Sequence, residues 1–246
     1  MPRAPSNEKE RIRMIGRTEY RFRSRRDLFL MKFFWQRMLS FPDAGVQSPP
    51  VFFSCLPLLE TQDLVLRRPR MKDAADIYAY ANDEAVARYV LWDPHRSLSE
   101  TRSCLRDLIR RARAGYPSSW VITLRETGRV IGTIGFIWYS SENSSAEIGY
   151  SLSRDYWNRG FATQALRAVS AEAFRSLPLN RLEAQHDLRN PASGKVMEKS
   201  GFRQEGILRS RIYNKGEYVD VALWSLLKSD LDPSSLTRAT ASRQAP

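Results

Sequence analysis

A strand, a short polar loop and the start of a helix follow one another between residues 146 and 163. Gly160 stands at the junction of loop and helix, where the absence of a side chain lets a bulky ligand group approach the backbone. The free amides of a helix's first turn, together with the positive end of the helix dipole, favour phosphate or pyrophosphate. The loop has neither a Gly-Lys-Ser/Thr ending nor a GxGxxG run, so the nucleotide P-loop and the dinucleotide fingerprint are excluded. The pattern predicts a phosphate-binding site of a different type.

The composition is that of a folded, strongly basic protein. A chain of 246 residues can bury a sizeable core, and its length favours one domain with an appendage. Lys and Arg number 39 against 27 Asp and Glu, giving a net charge of +12, and 32 of the basic residues are arginines. The excess of arginine reflects either a GC-rich genome or a need for acidic partners, and the sequence leaves both explanations open.

Few residues are available for metal or redox chemistry. Cys55 and Cys104 are not in a CxxC spacing, and His95 and His186 are the only histidines. We therefore expect no metal site and no disulfide framework, and a reducing cytoplasm fits best. No run of 18 or more apolar residues is present, so the sequence predicts no transmembrane helix.

The two ends of the chain differ from the middle. Residues 1–57 carry eleven Lys and Arg against five Asp and Glu, and include a dense apolar stretch at residues 28–41. This basic extension is interpreted as a helix for a membrane surface or acidic partner, a targeting segment, a plain disordered extension, or sequence upstream of a true start at Met31 or Met38. We favour the last two interpretations. Residues 233–246 are rich in Ser, Thr and Ala and predict a flexible tail.

Between the ends, apolar periodicities predict a mixed α/β domain over residues 58–232. The predicted strands cover residues 63–68, 120–125, 130–139, 146–152, 181–187, 202–213 and 217–227, and the predicted helices cover 72–82, 100–114, 161–176 and 191–200. Both faces of 130–139 are mainly apolar or small, so this strand is expected in the centre of the sheet. Asn190 is a candidate N-cap. Four tryptophans are expected in the core: Trp92, Trp120, Trp138 and Trp224.

Four segments, in this order, resemble the GNAT acetyltransferases, in particular their RimJ/RimL-like protein N-acetyltransferase branch. They are Leu59-Glu60-Thr61 with Leu64-Val65-Leu66-Arg67, Ala146-Glu147-Ile148-Gly149-Tyr150 with Trp157-Asn158-Arg159-Gly160-Phe161-Ala162-Thr163, Asn190-Pro191-Ala192-Ser193 with Met197-Glu198-Lys199-Ser200-Gly201-Phe202, and Gly216-Glu217-Tyr218-Val219-Asp220. The resemblance runs from about residue 59 to residue 231. The wider superfamily has Gln or Arg where this chain has Trp157. The RimJ/RimL-like branch commonly has an aromatic residue at this position, so Trp157 resembles that branch.

The resemblance implies a GNAT fold: a central mixed, mostly antiparallel twisted sheet with flanking helices. It also implies that two neighbouring strands, 148–152 and 182–187, splay apart to hold acetyl-CoA, with no metal involved. Arg154 and Arg159 are expected to add positive charge near the pyrophosphate. The residues implied in binding acetyl-CoA are Ile148, Gly149, Tyr150, Ser151, Leu152, Trp157, Asn158, Arg159, Gly160, Phe161, Ala162, Thr163, Asn190 and Ser193.

The resemblance also directs attention to two catalytic candidates. Ser193 is the candidate near the leaving sulfur, because Met197 stands where some GNAT enzymes have a tyrosine acid and cannot donate a proton; a helix-packing role is the alternative. Glu147 is the candidate general base or ammonium-binding group, and an exposed carboxylate at a strand end is the alternative. His186 is a weaker candidate base, more typical of a packing residue, and Asn190 is expected to bind the pantetheine arm or cap its helix.

These features favour an acetyl-CoA-dependent N-acetyltransferase acting on a primary amine, either a protein N-terminus, such as that of a ribosomal protein, or a small molecule. A non-catalytic protein that binds RNA or the ribosome through the basic extension is the second hypothesis. A protein anchored to a membrane surface through residues 21–41 is the third. The acceptor and the choice between monomer and homodimer stay open.

Overall fold

The computed structural model describes residues 46–231 of the chain. The predictions for the apolar stretch 28–41 and for the tail 233–246 fall outside the described residues. Within residues 46–231, no helix is long and apolar enough to cross a membrane. The same residues contain no group of three or more His, Cys, Asp or Glu side chains placed to hold a metal ion.

One sheet of eight strands organises the described residues, in the order β1-β2-β3-β4-β5-β6-β8-β7. The strands are β1 (Leu59–Glu60), β2 (Leu64–Arg67), β3 (Ser119–Leu124), β4 (Val130–Ser140), β5 (Ser145–Leu152), β6 (Arg181–Asp187), β7 (Arg203–Asn214) and β8 (Glu217–Leu227). Every neighbouring pair is antiparallel except β5 and β6, which run parallel. The expected mixed, mostly antiparallel sheet is therefore confirmed, with β4 in its interior.

Helices cover both faces of the sheet. They are α1 (Pro49–Ser54), α2 (Ala74–Ala81), α3 (Glu84–Ala87), α4 (Leu98–Arg113), α5 (Phe161–Ser176) and α6 (Pro191–Lys199). Trp120 and Ile122 of β3 face a large core with α1 and α5, whereas Val121 between them faces a smaller core with α2 and α4. This alternation is the period of two that a strand imposes on its side chains.

Every predicted element is present, with bounds that match the expected ones in α5, β6 and β8 and lie within about two residues of them elsewhere, as at the start of α4. The helix begins at Leu98 rather than after Ser99, because Ser97 caps it by accepting a hydrogen bond from the Glu100 amide at 3.2 Å. The Glu100 carboxylate in turn accepts from the Arg96 amide at 2.7 Å, which completes a reciprocal cap around the first turn.

The domain begins earlier than the predicted boundary at residue 58, and this is a correction. Residues 46–57 pack as part of the fold: Phe52 and Phe53 of α1 are 0% and 2% exposed. Phe52 meets the rings of Trp120 and Phe136 edge-on, at 6.2 and 6.0 Å between centroids. The boundary was misplaced because a six-residue helix has too little periodicity to signal its own burial.

Candidate active site

The parallel strands β5 and β6 separate part-way along their length. They pair only at Ser145 with Arg181, Ala146 with Leu182, and Glu147 with Glu183. Beyond Glu147, β5 continues along β4 and β6 continues along β8, so the two strands diverge. Between them, every second residue of 148–152 turns its amide and carbonyl groups toward an opening instead of a strand. The predicted splayed strand pair is therefore present, and an extended ligand can hydrogen-bond along its edges.

The loop between β5 and α5 has the geometry of an anion site. Asn158 and Gly160 both have left-handed backbone conformations, with φ of +58° and +78°. The Trp157 indole donates to the Leu152 carbonyl at 2.8 Å and thereby ties the loop to the end of β5. No side chain caps α5, and its first turn contains no acidic residue. The amides of Phe161, Ala162 and Thr163 therefore lie at a helix start that is open to an anion.

Arginines flank this loop, and they differ in their partners. The Arg159 guanidinium stacks on the rings of Phe161 and Tyr156, at 4.9 and 5.6 Å from their centroids. Arg154 instead forms an ion pair with Asp83 at 3.0 Å. Stacking holds the charge of Arg159 next to the start of α5, whereas the charge of Arg154 is already compensated. Arg159 is thus the better placed of the two predicted cationic residues.

Glu147 lies at the last paired position before the strands diverge, and two donors hold its carboxylate. Trp138 Nε1 donates to Oε2 at 2.6 Å, and Gln185 Nε2 donates to Oε1 at 2.9 Å. Burial raises the pKa of Glu147 above its ordinary value, and the nearby Glu183 also raises it, while the two donors and Arg211 oppose the increase. A partly buried, oriented carboxylate with a raised pKa is suited to accept a proton. This setting contradicts the alternative of an exposed strand-end carboxylate.

A bulge in β4 accounts for the tryptophan at this site. Phe136 pairs with Ile148 while Trp138 pairs with Glu147, so Ile137 is an extra residue on its strand. Without the bulge, Ile137 would stand opposite Glu147 and the indole would be displaced by one residue. The prediction that Trp138 belongs to the core is therefore wrong: the side chain is partly buried and binds the candidate base.

Ser193 lies in the first turn of α6, beside a tyrosine hydroxyl from β5. The Tyr150 hydroxyl is 2.9 Å from Ser193 Oγ and 3.0 Å from the Ser193 carbonyl oxygen. Burial raises the pKa of Tyr150, so the phenol keeps its proton at neutral pH. Met197 is buried one turn later in the core. Ser193 and Tyr150 therefore present paired hydroxyls beside this part of the opening.

The two candidate catalytic groups approach the opening from opposite faces of the sheet. Ile148 and Tyr150 face the core under α5 and α6, whereas Glu147 and Gly149 alternate with them and face the other side. Gln185 reaches Glu147 on that second face. A ligand threaded between β5 and β6 would therefore have the carboxylate on one side and the Ser193 hydroxyl on the other.

His186 packs against neighbouring groups, and Asn190 stands at the start of α6. His186 Nδ1 is 2.9 Å from the Asp187 carbonyl oxygen, and the ring packs near Trp224 at 6.2 Å between centroids. A Cβ on Gly194 would come within 2.7 Å of His186 Nε2, so the imidazole fills space against α6. Asn190 occupies the N-cap position, but its side chain does not cap the helix as predicted. The ring of His186 is thus a packing group. The side-chain amide of Asn190 is left for another role.

Sequence reasoning missed the partners of Glu147. Gln185 follows Glu183 by two residues, and Glu183 pairs with Glu147, so a parallel register would have placed Gln185 on the same face. No signal in the sequence indicates the bulge that brings Trp138 to the carboxylate.

Comparison with known proteins agrees with this geometry. The family model of the acetyltransferase (GNAT) domain matches residues 63–203. The uncharacterised N-acetyltransferase p20 of Bacillus licheniformis is 36% identical over 172 residues, which are 70% of this chain and 97% of that protein. The ribosomal-protein-serine acetyltransferase of Escherichia coli is 29% identical over 130 residues, covering 53% of this chain and 72% of that protein. The solved structure of a GNAT-family acetyltransferase from Bacillus anthracis superposes with a TM-score of 0.63 and 25% identity, covering 70% of this chain and 99% of that one. The chain therefore belongs to the GNAT family of acetyltransferases.

Proposed function

We propose that this protein transfers the acetyl group of acetyl-CoA to a primary amine by direct attack in a ternary complex. The observation that carries the proposal is the oriented carboxylate of Glu147 at the point where β5 and β6 diverge. GNAT membership supports acetyl-CoA as the acyl donor. The proposed setting is the cytoplasm, and the reaction needs no metal.

The residues around the opening fit such a donor. A Cβ built on Gly160 meets no protein atom within 4 Å, so the backbone there is open to a bulky group. The amides of residues 158–163, with Arg159 beside them, would hold the pyrophosphate. The edges of β5 and β6 would hold the pantetheine arm. The side-chain amide of Asn190 would also donate a hydrogen bond to this arm. When bound, acetyl-CoA supplies a thioester carbonyl for the amine to attack.

Glu147 would make the amine nucleophilic. An amine in water is protonated at neutral pH, and the attack on the carbonyl carbon needs the nitrogen lone pair. Glu147 would accept a proton from the ammonium or the attacking nitrogen, directly or through one water. The hydrogen bonds from Trp138 and Gln185 fix both carboxylate oxygens, which reduces the cost of orienting the base in each turnover.

Ser193 would assist departure of the thiol. As the new C–N bond forms, the C–S bond breaks and the sulfur takes the electron pair, so a donor beside it lowers the barrier. The Tyr150 phenol has a single proton, so its donation to Ser193 Oγ rather than to the Ser193 carbonyl would leave the serine proton free to reach the sulfur. Tyr150 is therefore proposed as a positioning residue behind Ser193.

The acceptor class is proposed from the relatives. One similar protein is named for acetylating a ribosomal protein on serine, which favours the N-terminus of a protein over a small amine.

The test is acetyl transfer by the full chain to a panel of amines. Peptides with free N-terminal Ser or Ala, the same peptides with blocked N-termini, and small primary amines would be incubated with acetyl-CoA. Release of the CoA thiol and the acetyl mass increment would be measured together. Glu147→Gln should lower kcat by about a hundredfold to ten-thousandfold.

The matched control is Glu142→Gln, which changes an exposed carboxylate in the turn between β4 and β5 and should leave kcat unchanged. A chain that binds acetyl-CoA but acetylates no amine on the panel would contradict the enzymatic proposal, and RNA binding through the basic extension would then be examined.

A further inference from the structure

A cavity lies beside strands β2 and β3, apart from the acyl-donor opening between β5 and β6. Its volume is about 400 Å³, and it is lined by residues of α1, α4 and β3, by Leu56 and Leu58 before β1, and by residues 67–70. Small-molecule sites typically occupy about 300–1,000 Å³. None of the lining residues belongs to β5, β6, α5 or α6, so the cavity is separate from the candidate active site.

The interior of this cavity is mostly apolar. Phe53, Leu56, Ile109 and Ala112 are among its lining residues. Leu58 also lines it and is 59% exposed, so its side chain adds apolar surface at the cavity rim. An apolar group of a ligand would cover this surface and remove it from water.

Guanidinium groups line the same cavity. Arg68, Arg70 and Arg113 are exposed, and none of them forms an ion pair within residues 46–231. Arg67 also lines the cavity, but the buried Asp73 carboxylate binds it through two contacts of 2.8 Å. No carboxylate is among the lining residues. The wall therefore carries uncompensated positive charge next to an apolar floor.

Helix α4 carries the arginine that lines the cavity and its acidic residues on different stripes. Arg102, Arg106, Ile109 and Arg113 are spaced by four, three and four residues and form one stripe along the helix. The acidic residues of α4, Glu100 and Asp107, lie with Arg111 on another stripe. The stripe that reaches the cavity through Ile109 and Arg113 therefore contains arginines and no acid.

We propose that this cavity binds an organic anion with an apolar part, such as an alkyl phosphate or carboxylate. The hydrocarbon would lie against Ile109, Ala112 and Phe53, and the anion would bind to the guanidinium groups at the cavity wall. Both halves of the ligand are needed, because an anion without hydrocarbon leaves the apolar floor in water and the arginine wall repels an apolar cation.

The test is calorimetric binding of octyl, hexyl and butyl phosphate to the full chain, with inorganic phosphate as the probe that lacks hydrocarbon. Octyl phosphate should bind saturably at one site. Each methylene added in the series should tighten binding by about fourfold while it is buried. Arg113→Gln should weaken binding of octyl phosphate by about tenfold to a hundredfold.

The matched control is Arg111→Gln, an exposed arginine of the same last turn on the other stripe, which should leave the affinity unchanged. A thermal melt of both variants without ligand checks that they fold, and acetyl-CoA affinity should be the same in both. Equal losses in the two variants, or phosphate binding as tight as octyl phosphate, would overturn the proposal. So would binding of RNA or anionic vesicles that depends on Arg113 without saturable binding of octyl phosphate.

Discussion

Replacing Gly160 by glutamate should weaken binding of acetyl-CoA while changing the stability of the fold only slightly. Gly160 precedes α5 with φ of +78°, a conformation that costs an L-residue about 1–2 kcal/mol. A Cβ there meets no protein atom within 4 Å, so the substitution creates no clash in the free protein. The loss in free energy of unfolding should therefore stay near the backbone cost alone.

The expected loss of acetyl-CoA affinity is larger than this structural cost. A carboxylate about 5 Å from one phosphate charge is repelled by about 0.8 kcal/mol in bulk water and about 3 kcal/mol at an effective dielectric constant of 20. A pyrophosphate presents more than one charge, and the side chain also occupies the space in which the phosphate meets the backbone. We expect the dissociation constant to rise at least about tenfold, because 1.4 kcal/mol corresponds to a factor of ten.

Gly128→Glu is the matched control. Gly128 is also exposed, has φ of +68° and has no atom within 4 Å of a built Cβ, but it lies in the turn between β3 and β4. Calorimetry with acetyl-CoA and urea unfolding would be measured on both variants. Similar stability losses with a selective loss of affinity in Gly160→Glu support the site. Unchanged affinity in Gly160→Glu, or an equal loss in Gly128→Glu, would refute the assignment of the loop.

Three further substitutions probe the base, the leaving group and the core. Gln185→Leu removes a donor that lowers the pKa of Glu147, so the acidic limb of kcat/KM should move to higher pH; an unmoved limb contradicts Glu147 as the base. Ser193→Ala should lower the rate by about tenfold to a hundredfold, with a larger loss for acetyl thioesters of less acidic thiols; equal losses across the thiols argue for a packing role. Phe52→Ala should reduce the free energy of unfolding in urea by about 3–5 kcal/mol, whereas Val51→Ala, at a position 55% exposed, should change it by less than about 0.5 kcal/mol.

The elements that the sequence predicted well are those whose signals are local. Helix α5 has an apolar stripe with Gly160 before it and Pro178 after it, and its observed bounds are the predicted ones. Strand β6 likewise matches its predicted bounds. Helix α1 was missed because its burial depends on Trp120 and Phe136, which come from strands far along the chain.

In the candidate site, too, the local features could be predicted and the tertiary ones could not. The loop before α5 is contiguous in sequence, so the open glycine at the junction and the free helix start could be inferred from residue types alone. The environment of Glu147 could not, because Gln185 reaches it through a parallel register and Trp138 through a bulge. Both features are tertiary, and no local pattern around position 147 contains them.

The divergence of β5 and β6 links the local alternation along one strand to the tertiary arrangement of the site. Because the strands pair only as far as Glu147 and Glu183, the carboxylate lies at the inner end of the opening. The alternation along β5 then sends Tyr150 to the face of α6, where its hydroxyl meets Ser193. One register thus sets a candidate base and a candidate leaving-group donor on opposite sides of the same opening. A shift of one residue in that register would exchange the two faces and separate both groups from it.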